Sequence, residues 1–255
     1  MIKNCVQFFR KGSIEIVSGE GMHDFPYHTH ESLLIGVIIS GSVRFCIEQF
    51  EYELKQGMTY LVPPDTGSSL THIEPYRYIT ICIRQEMQLA LAFDKNSQYV
   101  VEGIGRSILE LCSLFSSGLF SQEEFLSHLS ELLPLQERSK ELQINRKQPE
   151  TLAAIDYIHE HVNEKFMLDQ LSAAVHLSKF YLVRRFKADM GVGPKQYHQQ
   201  CKIRQAKYRL LEKETEADIA ADLSFAHQSH LCSVFRKYMG ISMKDYIQNT
   251  VIKRQ

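Results

Sequence analysis

A helical unit occurs twice in the C-terminal part of this 255-residue chain, and the repeat constrains the fold more than any other feature. The first copy runs from Leu168 to Tyr197 and the second from Ala217 to Tyr246. At a constant offset of 49 positions, Leu182, Phe186, Met190, Gly191 and Tyr197 match Leu231, Phe235, Met239, Gly240 and Tyr246. Upstream, Leu171 matches Ile219 at an offset of 48, so the second copy has one extra residue within 225–229. Turns tolerate such insertions, which predicts a turn there.

Each copy has the pattern of two helices joined by a tight turn. Apolar residues of the first helix share one face, at Leu168, Leu171 and Val175. Ser178 is a favourable N-cap, after which Leu182 and Phe186 form an apolar pair on the inner side of helix two. The outer side is basic, with Lys179, Arg184 and Lys187. In helix-turn-helix proteins such a second helix enters the major groove. The alternative is a helical bundle with solvated basic faces, but two copies with matched ends favour DNA binding.

Residues 151–246 resemble the DNA-binding domain of AraC/XylS-type bacterial transcription regulators. The second copy carries the closest match, in the segments IAADLSF and SHLCSVFRKYMGISMKDY. Between the copies, KIRQAKYRLLEKE resembles the connecting helix of the family, with Ile203, Ala206 and Leu210 on one face. The resemblance implies that this helix holds two recognition helices rigidly, so that they enter successive major-groove segments about 34 Å apart.

Two places depart from the family pattern. The turn position often filled by Gly holds His176 in the first copy and Ser224 in the second. A positive φ there would cost a non-Gly residue about 1 kcal/mol. In the recognition helices, Arg184 is matched by Ser233, which cannot make a bidentate contact to guanine. We therefore expect the first motif to dominate base specificity.

The resemblance assigns roles to exposed positions of both recognition helices. Base readout falls to Phe180, Val183, Arg184, Gln228, Ser229 and Ser233. Phosphate contacts, which position a protein without reading sequence, fall to Lys187, Arg236 and Lys237. Phe180 and Val183 suit contacts to thymine methyl groups.

Charge divides the chain into two halves. Residues 1–145 carry 11 Lys and Arg against 18 Asp and Glu, a net −7, whereas residues 146–255 carry 18 against 12, a net +6. The basic half suits a surface that faces phosphates. A polar segment, QERSKELQINRKQPE, has the composition of a linker. We predict an effector-sensing domain at 1–135, a linker at 136–149 and a DNA-binding domain at 150–255, with helix-turn-helix motifs at about 168–190 and 217–239.

The N-terminal half has the pattern of short β-strands. LLIGVIIS, VRFCIEQ, YELK, TYLVP and YITICIR are rich in β-branched and aromatic residues and are separated by Gly and Pro. Such spacing predicts a sandwich or barrel, and residues 28–66 resemble the cupin-type effector domain of the same family. The predicted class is therefore α+β in two domains, an N-terminal cupin-like β-barrel with following helices and a C-terminal all-α tandem helix-turn-helix domain.

His28 and His30 form the His-x-His that metal cupins use as ligands. The carboxylate position that should follow holds Leu33 or Leu34, and His72 is displaced from the usual spacing, so no facial triad is assembled. We predict no metal and no cofactor. The two histidines are candidates for effector binding, with a purely structural role at the rim as the alternative.

Two amphipathic helices are predicted after the strands, in VVEGIGRSILELCSLF and SQEEFLSHLSELLPL. Their apolar stripes are typical of a core, and the resemblance implies that they also pair two subunits. The six cysteines contain no CxxC, which argues against a zinc ribbon and favours reduced thiols. The longest apolar run, 33–39, is too short to span a bilayer.

The pattern as a whole predicts a cytoplasmic, non-enzymatic transcription regulator that binds promoter or operator DNA and associates with the nucleoid. The resemblance implies an activator that responds to a small-molecule effector, contacts RNA polymerase and forms a homodimer. Two alternatives belong to other classes of protein. One is a metal-dependent cupin enzyme with an accessory helical domain, and the other is a DNA-organising protein without a ligand.

Overall fold

The computed structural model describes residues 5–84, 99–133 and 147–253. The N-terminal strands are β1 Cys5–Lys11, β2 Ile14–Gly21, β3 Phe25–His28, β4 Leu33–Ser40, β5 Ser42–Ile47, β6 Phe50–Lys55, β7 Thr59–Val62, β8 Ser68–His72, β9 Tyr76–Ile83 and β10 Val100–Val101. They form two sheets, one with the order β10-β7-β4-β9-β2-β1 and one with the order β3-β8-β5-β6. The two sheets enclose an aromatic core that includes Phe45, Tyr60 and Tyr78.

The central strand β4 is covered on both faces, which explains its unbroken apolar sequence. Leu34 and Ile38 face the second sheet, whereas Ile35 and Val37 face the opposite side. Helices α1 Gly105–Ser117 and α2 Gln122–Leu132 pack on that opposite side. The predicted helix from Val100 was wrong at its start, because Val100 and Val101 pair with β7 before α1 begins.

The apolar stripes of α1 and α2 are part of the N-terminal core. Five apolar residues, Ile108, Leu111 and Phe115 of α1 and Phe125 and Leu129 of α2, are buried against the sheet that contains β4. Any pairing of two subunits through these helices would therefore use their outer faces.

The C-terminal helices are α3 Pro149–Glu160, α4 Leu168–Ala174, α5 Lys179–Met190, α6 Pro194–Leu211, α7 Glu216–Asp222, α8 Gln228–Met239 and α9 Met243–Gln248. The two helix-turn-helix units are α4 with α5 and α7 with α8. Ser178 caps α5 by accepting a hydrogen bond from the Tyr181 backbone N–H, as predicted. His227 plays the same role for α8. Four residues join α4 to α5 and five join α7 to α8, so the extra residue lies in the turn. No helix in the described part of the chain has the length and apolarity that crossing a membrane requires.

Helix α6 contributes to both helix-turn-helix cores. Tyr197 and Cys201, near its start, pack with the first unit. Ile203, Ala206 and Leu210 pack with the second, as the predicted apolar face requires. One continuous helix therefore fixes the two recognition helices relative to each other.

The predicted fold class is confirmed, with a β-rich N-terminal part and a helical C-terminal part, but one short strand after α9 was not predicted. Residues Thr250–Lys253 form strand β11, which pairs in parallel with β1. It is the seventh strand of the larger sheet and lies at its edge. The carbonyl of Asn249 accepts a hydrogen bond from the Phe8 backbone N–H at 2.9 Å, and its side chain donates to the Val6 carbonyl at 2.9 Å. The predicted linker covers residues 136–149, of which the structure describes only 147–149. The domain boundaries therefore stay a prediction.

The two turns differ in how their strained residues are supported. His176 and Ser224 adopt φ values of 54° and 51°, the left-handed conformation foreseen above. Ser224 Oγ donates a hydrogen bond to the Asn163 carbonyl at 2.6 Å, whereas the His176 side chain is exposed.

We expect His176→Gly to raise the free energy of unfolding by about 1 kcal/mol, because glycine relieves the strain without loss of a contact. Ser224→Gly should change it little, since the lost hydrogen bond, worth about 1 kcal/mol, offsets the relief. Chemical denaturation of the two variants measures both values. Equal gains for both would show that the Asn163 contact does not stabilise the second turn.

Candidate nucleic-acid interface and effector cavity

The outer face of α5 presents apolar and cationic side chains together. Phe180 is 79% exposed, which is unusual for a large aromatic residue, and Val183 is also exposed. Arg184 and Lys187 lie on the same solvent side and form no ion pair with any residue that the structure describes. Arg185 and Lys179, by contrast, pair with Asp189 and Asp169. Tyr181, half-exposed beside this group, was not predicted.

The outer face of α8 is more polar and is partly engaged within the chain. Gln228, Ser229, Ser233, Arg236 and Lys237 are all exposed. Gln228 Nε2 donates to Glu216 Oε2 at 2.8 Å. Ser229 Oγ lies 2.6 Å from Nδ1 of His227, the ring nitrogen that also accepts from the His230 backbone N–H. The structure therefore brings all the predicted reading residues to the surface on the two second helices, without testing their roles.

A cavity of about 170 Å³ lies inside the N-terminal sheets, and helices α6 and α8 form one of its walls. Its apolar lining from the sheets includes Val17, Phe25, Leu34, Phe45, Tyr60 and Tyr78. Ile203 of α6 and Tyr238 and Met239 of α8 complete the lining from the C-terminal side. A molecule bound here would contact sheet and DNA-binding helices at once.

His28 and His30 both line this cavity. Their ring centroids are 4.4 Å apart, although β3 ends at His28 and His30 lies beyond the strand. Burial lowers the pKa of His28 to about 4 and that of His30 well below its usual value, so both imidazoles are neutral near pH 7. The His28 ring donates from Nδ1 to the Pro26 carbonyl at 2.6 Å. Within the described residues, no three His, Cys, Asp or Glu side chains cluster closely enough to hold a metal ion.

A polar stripe on α6 joins the C-terminal helices to the sheets. Gln196 Nε2 donates to the Tyr27 carbonyl at 2.6 Å. One turn on, Gln200 Oε1 accepts from the backbone N–H and the hydroxyl of Thr29 at 3.1 and 3.0 Å. After another turn, Arg204 donates to the Thr29 carbonyl at 2.6 Å and pairs with Glu31 at 3.2 Å. This stripe was not predicted from the sequence, although its signal was present there as polar residues four apart in a helix otherwise rich in core positions.

A buried ion pair closes the same interface near the far end of α6. Lys207 Nζ lies 3.0 Å from Glu15 of β2, and Arg10 contacts the same carboxylate at 3.2 Å. Burial alone would raise the pKa of Glu15, but the two cations outweigh it and lower the pKa. The charge of Glu15 is thus compensated by residues from both halves of the chain.

Two family models match the chain. A helix-turn-helix domain model matches residues 171–249, and an AraC-like ligand binding domain model matches residues 12–133. Between them they contain the recognition helices and most of the sheet lining of the cavity.

Known regulators are similar over most of the chain. YbfI of Bacillus subtilis (strain 168), an uncharacterised HTH-type transcriptional regulator, is 27% identical over 82% of each chain. LumQ of Photobacterium leiognathi, a probable transcriptional regulator, is 23% identical over 86% of this chain and 91% of its own. The fold is similar to that of ToxT from Vibrio cholerae O395, with a TM-score of 0.57, 14% identity and 97% of each chain covered. None of these supports the alternative of a metal-dependent enzyme. The chain belongs to the AraC family of DNA-binding transcription regulators, with an N-terminal ligand-binding domain and a C-terminal helix-turn-helix domain.

Proposed function

We propose that α5 is the dominant base-reading helix of this regulator. The observation that carries the proposal is the pairing of exposed Phe180 and Val183 with an uncompensated Arg184 on one outer face. A side chain this apolar is normally buried, and thymine methyl groups in the major groove provide a matching surface. Arg184 suits a bidentate contact to guanine O6 and N7.

Helix α8 supplies the weaker half of the readout. Gln228, Ser229 and Ser233 are its reading residues, and Ser233 stands where α5 has Arg184. Lys187, Arg236 and Lys237 contact phosphates on either side. Because α6 fixes both recognition helices, one chain reads two successive major-groove segments.

In this proposal the effector binds in the cavity that residues of α6 and α8 line on one side. ToxT, which shares the fold, has been solved with an unsaturated fatty acid bound. A ligand that prefers one arrangement of sheets and helices shifts the population toward it, and by linkage changes DNA affinity. The protein acts in the cytoplasm on nucleoid DNA as an activator, and contact with RNA polymerase and homodimer formation stay predictions.

Arg184→Ala should weaken binding to the specific site by about 1–3 kcal/mol and relax the preference at one base pair. Lys187→Ala should weaken specific and random duplexes alike and reduce the salt slope by about one. The specific site is first selected from random duplexes with the wild-type protein. Titrations at several salt concentrations then measure the affinity of each variant for this site and for a scrambled duplex.

Arg106→Ala is the matched control, because Arg106 is an exposed arginine on α1 of the N-terminal domain. It should bind both duplexes as the wild type does. If Arg184→Ala and Lys187→Ala reduced binding to both duplexes equally, the assignment of Arg184 to base readout would be wrong.

Thr29 links α6 to the sheets, and its removal tests whether that link stabilises the chain. Thr29→Val should lower the free energy of unfolding by about 1–3 kcal/mol, because Gln200 and Arg204 each lose one hydrogen bond, to the Thr29 hydroxyl, and keep only those to the Thr29 backbone. Thr71→Val, at an exposed position on β8, should have little effect. Denaturant titration measures both, and a similar small effect for the two would argue against a stabilising link.

A further inference from the structure

Two residues that line the cavity have a buried donor without a partner among the described residues, Gln200 at Nε2 and Tyr238 at its hydroxyl. The Gln200 amide is the one whose orientation the structure fixes. The Gln200 side chain is 4% exposed, and its Nε2 forms no hydrogen bond with any described residue. Its orientation is determined, since Oε1 accepts from the Thr29 backbone N–H, which can only donate. The amide nitrogen must therefore point away from Thr29. A buried N–H without an acceptor is unfavourable, and such a group at a cavity indicates a missing ligand.

The charged side chains that line the cavity near this donor are Arg204, Lys207 and Glu15. Arg204 lies one turn along α6 and also lines the cavity. His28 and His30 are uncharged there, for the reason given above. The carboxylate of Glu15 is already surrounded by Lys207, Arg10 and Arg84. The lining itself has two cations, Arg204 and Lys207, and one anion, Glu15, whereas Glu31 pairs with Arg204 from outside the lining. With the free amide donor, this lining favours an anion over a cation.

Most of the remaining lining is apolar, which limits the rest of the ligand. Phe25, Leu34, Phe45, Tyr78 and Ile203 offer aromatic and aliphatic surface rather than the many polar partners that a sugar requires. The volume of about 170 Å³ is close to that of engineered cavities of about 150 Å³ that bind benzene. The ligand body is therefore the size of one ring or a short alkyl chain.

We propose that the cavity binds a small apolar monocarboxylate, with its carboxylate on Gln200 Nε2 and Arg204. The proposal rests on the assignment of this cavity as the effector site. A carboxylate would accept the unused amide hydrogens and compete with Glu31 for Nη1 of Arg204, with which it would form a charge-assisted hydrogen bond. Because Gln200 and Arg204 also hold Thr29, occupancy changes the contact between α6 and the segment after β3.

Calorimetric titration of the full chain at pH 7 tests the proposal. The probes are 3-phenylpropionate and octanoate, and the matched neutral probes are 3-phenylpropan-1-ol and octan-1-ol. We expect each acid to bind about tenfold or more tightly than its alcohol, because a hydrogen bond to a charged group is worth more than one to a neutral group. Equal affinity for acid and alcohol, or no binding of either acid, would overturn the proposal.

Two variants locate the carboxylate. Gln200→Glu keeps acceptors for Thr29 and replaces the unpartnered NH₂ by an anionic oxygen, so acid binding should fall about tenfold or more while alcohol binding changes little. Glu31→Gln removes the competitor at a half-exposed position that the fold tolerates, and acid binding should tighten. Unchanged acid affinity in both variants would contradict the placement on Gln200 and Arg204.

DNA titrations on the same samples separate this proposal from the proposed function. If the wild type binds its selected duplex specifically but binds no acid, the ligand class is wrong and the regulator stands. If acids bind in the predicted order while specific and random duplexes bind equally, the ligand site stands and the assignment of the reading helices fails.

Discussion

Helix α6 is the constraint on which the arrangement of the chain depends. Its apolar face is shared between two helix-turn-helix cores, so it cannot rotate without exposing one of them. Its polar stripe then has to face the N-terminal sheets. Buried polar groups are costly unless they are hydrogen-bonded, and Gln196, Gln200, Arg204 and Lys207 find their partners on Tyr27, Thr29, Glu31 and Glu15. The relative position of the two halves follows from this one helix, with β11 as a second attachment.

The same geometry gives α8 two roles. Its outer side carries Ser233, Arg236 and Lys237, which face solvent, while Tyr238 and Met239 line the cavity. Residues that we assign to phosphate contact are therefore direct neighbours in sequence of residues that would contact a ligand. A change at the effector site could therefore reach the DNA-facing surface through α8 alone, because this one helix has residues at both places.

Features that depend on residues near one another in the sequence were predicted, whereas features that depend on distant partners were not. The helix-turn-helix units were predictable because Leu182, Phe186 and their counterparts form a repeated pattern, and the turn residues His176 and Ser224 were predictable from the same alignment. Strands β1 and β2 lie in the part predicted to be β structure but were not predicted individually, because charged Arg10 and Glu15 interrupt their apolar pattern. Glu15 can be buried because Arg10 and Lys207 compensate its charge, and Lys207 lies 192 positions away in the sequence. Likewise β11 becomes a strand only through pairing with β1. Such long-range partners leave no local signal.

The central claim is that α6 and β11 hold the sheets and the DNA-binding helices together as one body. Hydrogen exchange of wild type and Arg204→Ala, followed by mass spectrometry, tests it most directly. The account predicts faster exchange in residues 25–31, in α6 and in the β1–β11 pair together, with β5 unchanged, because breaking one attachment loosens the whole interface. Faster exchange confined to α6 and its helical neighbours would contradict the claim, since it would show that the two halves are not held together through this helix.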